Sequence, residues 1–143
     1  VYSDVLGRLL YGYNNSVKPV VDHCHWHERV GAFMTGSPDF WWVIKESDDL
    51  IRVVSNVMDI VQNIAISEIN KRLSDEGLIK CWMNEVYAGT TEISRFKYVT
   101  TLLKTKSDFS TLNQVIDAFM ETTKGRPNAN RAIEHLKEIG YSK

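Results

Sequence analysis

The stretch SDDLIRVVSNVMDIVQNI at residues 47–64 decides the predicted fold class. Its apolar residues recur every three or four positions, a spacing that places Leu50, Val54 and Val57 on one side of an α-helix. Two aspartates fall in the first turn, where the positive end of the helix dipole stabilises carboxylates. We expect a helix that is buried in a core.

Helical spacing continues beyond this stretch, and no strand pattern interrupts it. We expect a second helix that Gly77 ends or bends, a short third helix around Trp82, and a fourth helix capped by Thr90 or Thr91. Two further amphipathic segments follow, and Gly140 ends the last one. The sequence therefore predicts an all-α chain with a compact six-helix bundle over residues 47–143.

Residues 1–46 differ from the rest of the chain. Apolar residues recur at helical spacing from Val5 to Tyr13 and predict one short helix. Residues 17–44 lose this period and collect glycine, proline and aromatic residues, which indicates an irregular extension. Trp41 and Trp42 either fill the core or form an exposed docking patch.

Composition limits the classes of function. The chain has 143 residues, 43% of them hydrophobic, and its 17 basic and 18 acidic residues give a net charge of −1. This balance disfavours binding to nucleic acid. No apolar run approaches the roughly 18 residues of a membrane span, and two cysteines do not make a disulfide framework. A cytoplasmic protein without membrane contact is expected.

A resemblance to a known family rests on two segments. One is SRFKYVTTLLKTKSDFSTLNQVIDAFMETTKGRPNANRAIEHLKEIG at residues 94–140, and the other is EINKRLSDEGLI at residues 68–79. Together they resemble the caspase recruitment domains of the death-fold superfamily, over roughly residues 47–141. The resemblance implies a death-fold-like bundle that assembles with partners, or with itself, through oppositely charged helix faces.

The residues of this chain that match those faces follow from the resemblance. The basic face would comprise Arg52, Arg95, Lys97 and Lys104. The acidic face would comprise Glu68, Asp75, Glu76 and Glu85. Such faces set register and association rate more than affinity, and the alternative is that they are ordinary solvated helix surfaces.

The segment DHCHWHE at residues 22–28 carries three of the four histidines. In an extended chain His23, His25 and His27 share one face and could bind zinc or copper. Three such positions span about 13 Å, so two of them can chelate an ion easily and three need a turn.

Three hypotheses of function remain. No dinucleotide, P-loop or nucleophile-elbow motif occurs, so we expect no enzyme and no cofactor. The first hypothesis is a protein interaction module that uses the charged faces. The second is a small metal-binding or metal-dependent protein that uses the three histidines. The third is a helical adaptor that contacts its partner through Trp41 and Trp42.

Overall fold

The described part of the chain is helical. A computed structural model describes residues 1–12, 24–34, 40–84 and 87–141. Within these ranges there are six helices and no strand. The helices are α1 (Asp4–Tyr11), α2 (residues 47–70), α3 (Asp75–Met83), α4 (Glu92–Thr105), α5 (Phe109–Thr122) and α6 (Pro127–Glu138). The predicted all-α class is confirmed for these residues.

Helix α2 is one continuous rod where the sequence predicted two helices. It is α-helical over Ser47–Ile60, π-helical over Val61–Ala65 and α-helical again over Ile66–Asn70. Five helices, and not six, therefore follow residue 46 in the described ranges.

The predicted helix end at Gly77 is wrong. A turn at residues 71–74 ends α2, and Gly77 lies in the first turn of α3. The Gly77 N–H donates to the Ser74 hydroxyl at 3.1 Å, so Ser74 caps α3. A Cβ atom on Gly77 would lie 2.1 Å from the Lys71 carbonyl oxygen, which explains why glycine occupies this position.

Helix α4 is the centre of the core. It contacts α1, α3, α5 and α6, and Phe96 stacks on Phe119 of α5 with ring centroids 4.2 Å apart. Thr100 and Thr101 are buried because their hydroxyls donate to carbonyls of their own helix. The N-cap of α4 is Thr91, one of the two residues that the sequence predicted.

The opening third of the chain packs into the same core. Leu6, Trp26 and Phe33 belong to the buried apolar cluster that contains the residues of α4. The Trp26 indole N–H donates to the Tyr87 carbonyl at 2.7 Å, and the Ser3 hydroxyl donates to Asp75 at 2.6 Å. The core therefore crosses the domain boundary that the sequence predicted at residue 46.

The first half of α2 is not buried as the sequence predicted. Val53 and Ile60 are buried on the side of the helix that faces the 3-10 turn Val30–Phe33. Leu50 and Ile51, by contrast, are 50% and 70% exposed. The apolar part of the helix surface is wider than the surface that the rest of the described chain covers.

Candidate functional site

An uncovered row of apolar side chains runs along α2, and we call it the α2 strip. Its six members are exposed aliphatic residues: Leu50, Ile51, Val54, Met58, Ile66 and Ile69. Leu50, Val54 and Met58 are spaced by four residues and so lie one above another on the helix surface. The strip is thus a feature of one helix face.

The π-helical segment keeps the strip in line over the length of α2. The Ile66 N–H donates to the Val61 carbonyl, five residues earlier, so this turn holds one residue more than an α-helical turn. Because of the extra residue, the side chains that follow are turned back around the helix axis relative to their positions in a regular α-helix. Ala65 and Glu68 consequently join the buried side, whereas Ile66 and Ile69 continue the exposed strip.

The strip itself carries no charge. Arg52, Asp59 and Asn63 are exposed polar residues on another side of the helix. Arg52 donates to Asp49 at 2.9 Å, so this pair cancels its own charge at the surface. A partner of the strip would therefore be recognised by apolar contact.

The two tryptophans before α2 have different environments. The half-buried Trp42 donates its indole N–H to Asn56 of α2 at 2.8 Å and stands edge-on to Phe40. Trp41 is 68% exposed, and the Arg29 guanidinium lies 5.4 Å from its ring centroid. Trp42 thus anchors the residues before α2 to that helix. Of the two tryptophans, only Trp41 is mostly exposed.

A buried ion pair holds the other end of α2 in the core. Arg72 is 1% exposed and donates to Glu68 at 2.7 Å, while its guanidinium lies 4.6 Å from the Trp26 ring centroid. Burial alone would raise the pKa of Glu68, but hydrogen bonds from Lys71 and Arg72 lower the pKa below its usual value. Glu68 is therefore a structural anchor and is not exposed to a partner.

Most residues of the predicted acidic face are engaged within the chain. Besides Glu68, Asp75 accepts a hydrogen bond from Ser3, and Glu76 forms an ion pair with Lys106. Glu85 lies outside the described residues.

The predicted basic face is divided among separate places. Arg52 is paired on α2, and Lys104 donates to the Ile139 carbonyl at the end of α6. Arg95 and Lys97 line two different cavities. These four residues therefore do not form one continuous basic surface.

The two cavities lie beside α4. One has a volume of about 360 Å³, is lined mainly by apolar side chains of α3, α4 and α5, and has Arg95 and Glu92 among its polar lining residues. The other has a volume of about 430 Å³ and includes Lys97 and Tyr98 with residues of α1 and α6. Glu92 is already bound by Arg126 at 3.0 Å and by Asn128 at 2.8 Å.

His25 and His27 do not share a face as predicted. His25 is 1% exposed, and its Nδ1 accepts the Ser3 backbone N–H at 3.1 Å, whereas His27 is exposed. The prediction fails because the chain here is not a regular strand. His23 lies outside the described residues, and no group of three potential metal ligands occurs within the ranges that are described.

His25 is a core residue of unusual surroundings. Its imidazole is perpendicular to the Tyr98 ring with centroids 5.1 Å apart, a geometry that lets an N–H approach an aromatic face. Burial lowers the pKa of His25 from 6.5 to about 4. The ring is therefore neutral at pH 7, with its proton on Nε2 because Nδ1 accepts a hydrogen bond.

Comparison with known proteins adds no function to this geometry. The chain matches no family model, no curated protein and no solved structure. Residues 49–70 of α2 are long and apolar enough to cross a membrane by length and composition, with a mean hydropathy of 1.2. The core helix of a soluble protein or a signal sequence passes the same test.

Proposed function

We propose that the chain is a protein interaction module that binds its partner through the α2 strip. The observation that carries the proposal is the exposure of six aliphatic side chains on one face of one helix. Together they expose on the order of 600 Å², the upper end of the range of about 300–600 Å² for the largest apolar patch of a monomer. Burying this area in an interface removes it from water.

Apolar contact is better supported than the charged faces. Glu68 is buried, Glu76 and Arg52 are in surface ion pairs, and Lys104 caps a neighbouring helix. An exposed ion pair contributes only about 0–1 kcal/mol, so little energy is available from these groups. The death-fold-like bundle implied by the family resemblance stays a proposal that agrees with an assembly function.

A membrane partner is less well supported than a protein partner. A spanning α2 would place Arg52 and Asp59 in or near the hydrocarbon region, where each charge costs about 2.5–3.5 kcal/mol at the centre. A helix that lies on an anionic membrane needs an excess of lysine and arginine on its polar face. On the polar side of α2 the single cation Arg52 is outnumbered by Asp49 and Asp59.

Site-specific photo-crosslinking tests the proposal. A benzophenone amino acid replaces Val54 on the strip or, as a matched control, Asn63 on the polar side of the same helix. We expect protein adducts from position 54 and few from position 63, whichever protein the partner is. Equal yields at the two positions, or lipid adducts alone at position 54, would refute the interaction module.

A further inference from the structure

We propose that the α2 strip binds the α2 strip of a second copy of this chain, with the two helices antiparallel. The inference rests on the proposed function and names the partner. An uncharged apolar helix face is matched best by another helix face of the same kind, and a twofold axis brings one strip against the other. The second copy supplies such a face without any further assumption.

The electrostatics of the strip favour pairing with itself. Across a twofold axis a charged surface meets its own charge, which opposes association. The strip has no ionisable side chain. The exposed Ser55 flanks it, the exposed Gln62 lies between Met58 and Ile66 by helical spacing, and both are uncharged. Self-pairing therefore brings no like charges together along the strip, and a charged partner would find no opposite charge there.

The spacing of the strip fits an antiparallel orientation, and the helix dipoles favour it. When the twofold axis passes at the level of Ile60, Val54 faces Ile66 of the second copy, and Ile51 faces Ile69. The two helix dipoles are then antiparallel, which favours association. A parallel pair would place acidic ends together and would align both helix dipoles.

The exposed area agrees with the size of a stable dimer. The strip exposes on the order of 600 Å² per copy, which is the lower end of the roughly 600–1,000 Å² per partner that a standard interface buries. No area from the charged faces is needed.

Cysteine crosslinking tests both the partner and the orientation. Cys24 and Cys81 are replaced by serine, and Val54→Cys and Ile66→Cys are introduced into separate chains. Between two copies of the Val54→Cys variant, or two copies of the Ile66→Cys variant, the antiparallel arrangement holds the cysteines about 18 Å apart along the helices, whereas a disulfide needs Cα atoms within about 7 Å. We expect little covalent dimer from either variant alone and extensive covalent dimer, several-fold more, from their mixture under mild oxidation.

Each outcome decides the proposal. Circular dichroism and elution volume first establish that both variants keep the fold, and Asn63→Cys mixed with Ile66→Cys measures random collision. Efficient linkage of Val54→Cys to itself would overturn the antiparallel arrangement. If the mixture of Val54→Cys and Ile66→Cys links no better than the Asn63→Cys control, the partner of the strip is not a second copy of the chain. If the second copy is refuted but position 54 photo-crosslinks to another protein, the proposed interaction module still holds. If position 54 crosslinks to no protein, both proposals are refuted.

Discussion

Two buried histidines make the stability of the fold sensitive to mild acid. His25 and His135 are each 1% exposed, and burial lowers the pKa of each from 6.5 to about 4. The Nε2 of His135 donates to the Thr100 hydroxyl at 3.1 Å, because that hydroxyl gives its own proton to the Phe96 carbonyl. Both rings are therefore held neutral in the folded state.

The magnitude follows from the difference in proton binding. Between pH 6.5 and pH 4 the unfolded chain binds protons at these histidines and the folded chain does not, so acid favours unfolding. The contribution of these two histidines to the free energy of unfolding is present above pH 6.5. It is lost as the pH drops from 6.5 toward 4, and it changes no further below that value. At pH 5 each histidine costs about 2 kcal/mol, or about 4 kcal/mol together, of a total that is typically about 5–15 kcal/mol.

Urea unfolding at pH 7.5, 6.5, 5.5 and 5.0 measures this loss. We expect the free energy of unfolding to fall by about 4 kcal/mol over the series. His135→Gln should halve the pH dependence at a lower overall stability, and the exposed His27 provides the control His27→Gln, which should leave the dependence unchanged. A free energy independent of pH down to 5.0, or an equal effect of the His27 variant, would refute the reasoning.

Three other substitutions test the anchors and caps by urea unfolding at pH 7.5. Arg72→Met leaves Glu68 buried without its main partner and should cost about 3–5 kcal/mol, whereas Lys71→Met, which alters an exposed cation, should cost under about 1 kcal/mol. Similar costs for both would contradict the buried ion pair. Gly77→Ala should cost about 1–3 kcal/mol because its Cβ meets a backbone carbonyl, and an unchanged midpoint would refute that clash. Thr91→Ala should cost about 1 kcal/mol through loss of the α4 cap, and Thr91→Ser should restore most of it.

Helical periodicity was sufficient to predict the all-α class and one cap. The apolar residues of α4 at helical spacing, and the threonine before them, are local features of the sequence. A prediction from such features is correct when other parts of the chain cover the apolar side of the helix. Thr91 caps α4, and the apolar residues Phe96, Val99 and Leu103 of that stripe are buried.

The same reasoning failed for α2 because periodicity says which side of a helix is apolar and not what covers it. Val53 and Val54 are neighbours in the sequence, yet one is buried and the other is exposed. A clue was available: the apolar residues of this helix occupy about half of its circumference, more than one packed face needs. The π-helical turn that keeps Ile66 on the strip has no recognisable sequence signal.

The histidine segment failed for a related reason. Alternation places His25 and His27 on one side only if the backbone is a regular strand, and the described chain there is irregular. The buried position of His25 depends on Ser3 and Tyr98, which lie far away in the sequence. Contacts at such a separation cannot be read from local spacing.

Sedimentation equilibrium over a range of chain concentrations tests the role of the α2 strip most directly. The wild-type chain should pass from a mass of 16.4 kDa toward twice that value as concentration rises. Val54→Glu should stay monomeric with unchanged stability, and Asn63→Glu on the polar side should dimerise like the wild type. A wild-type chain that remains monomeric, or two variants that behave alike, would contradict pairing through the strip.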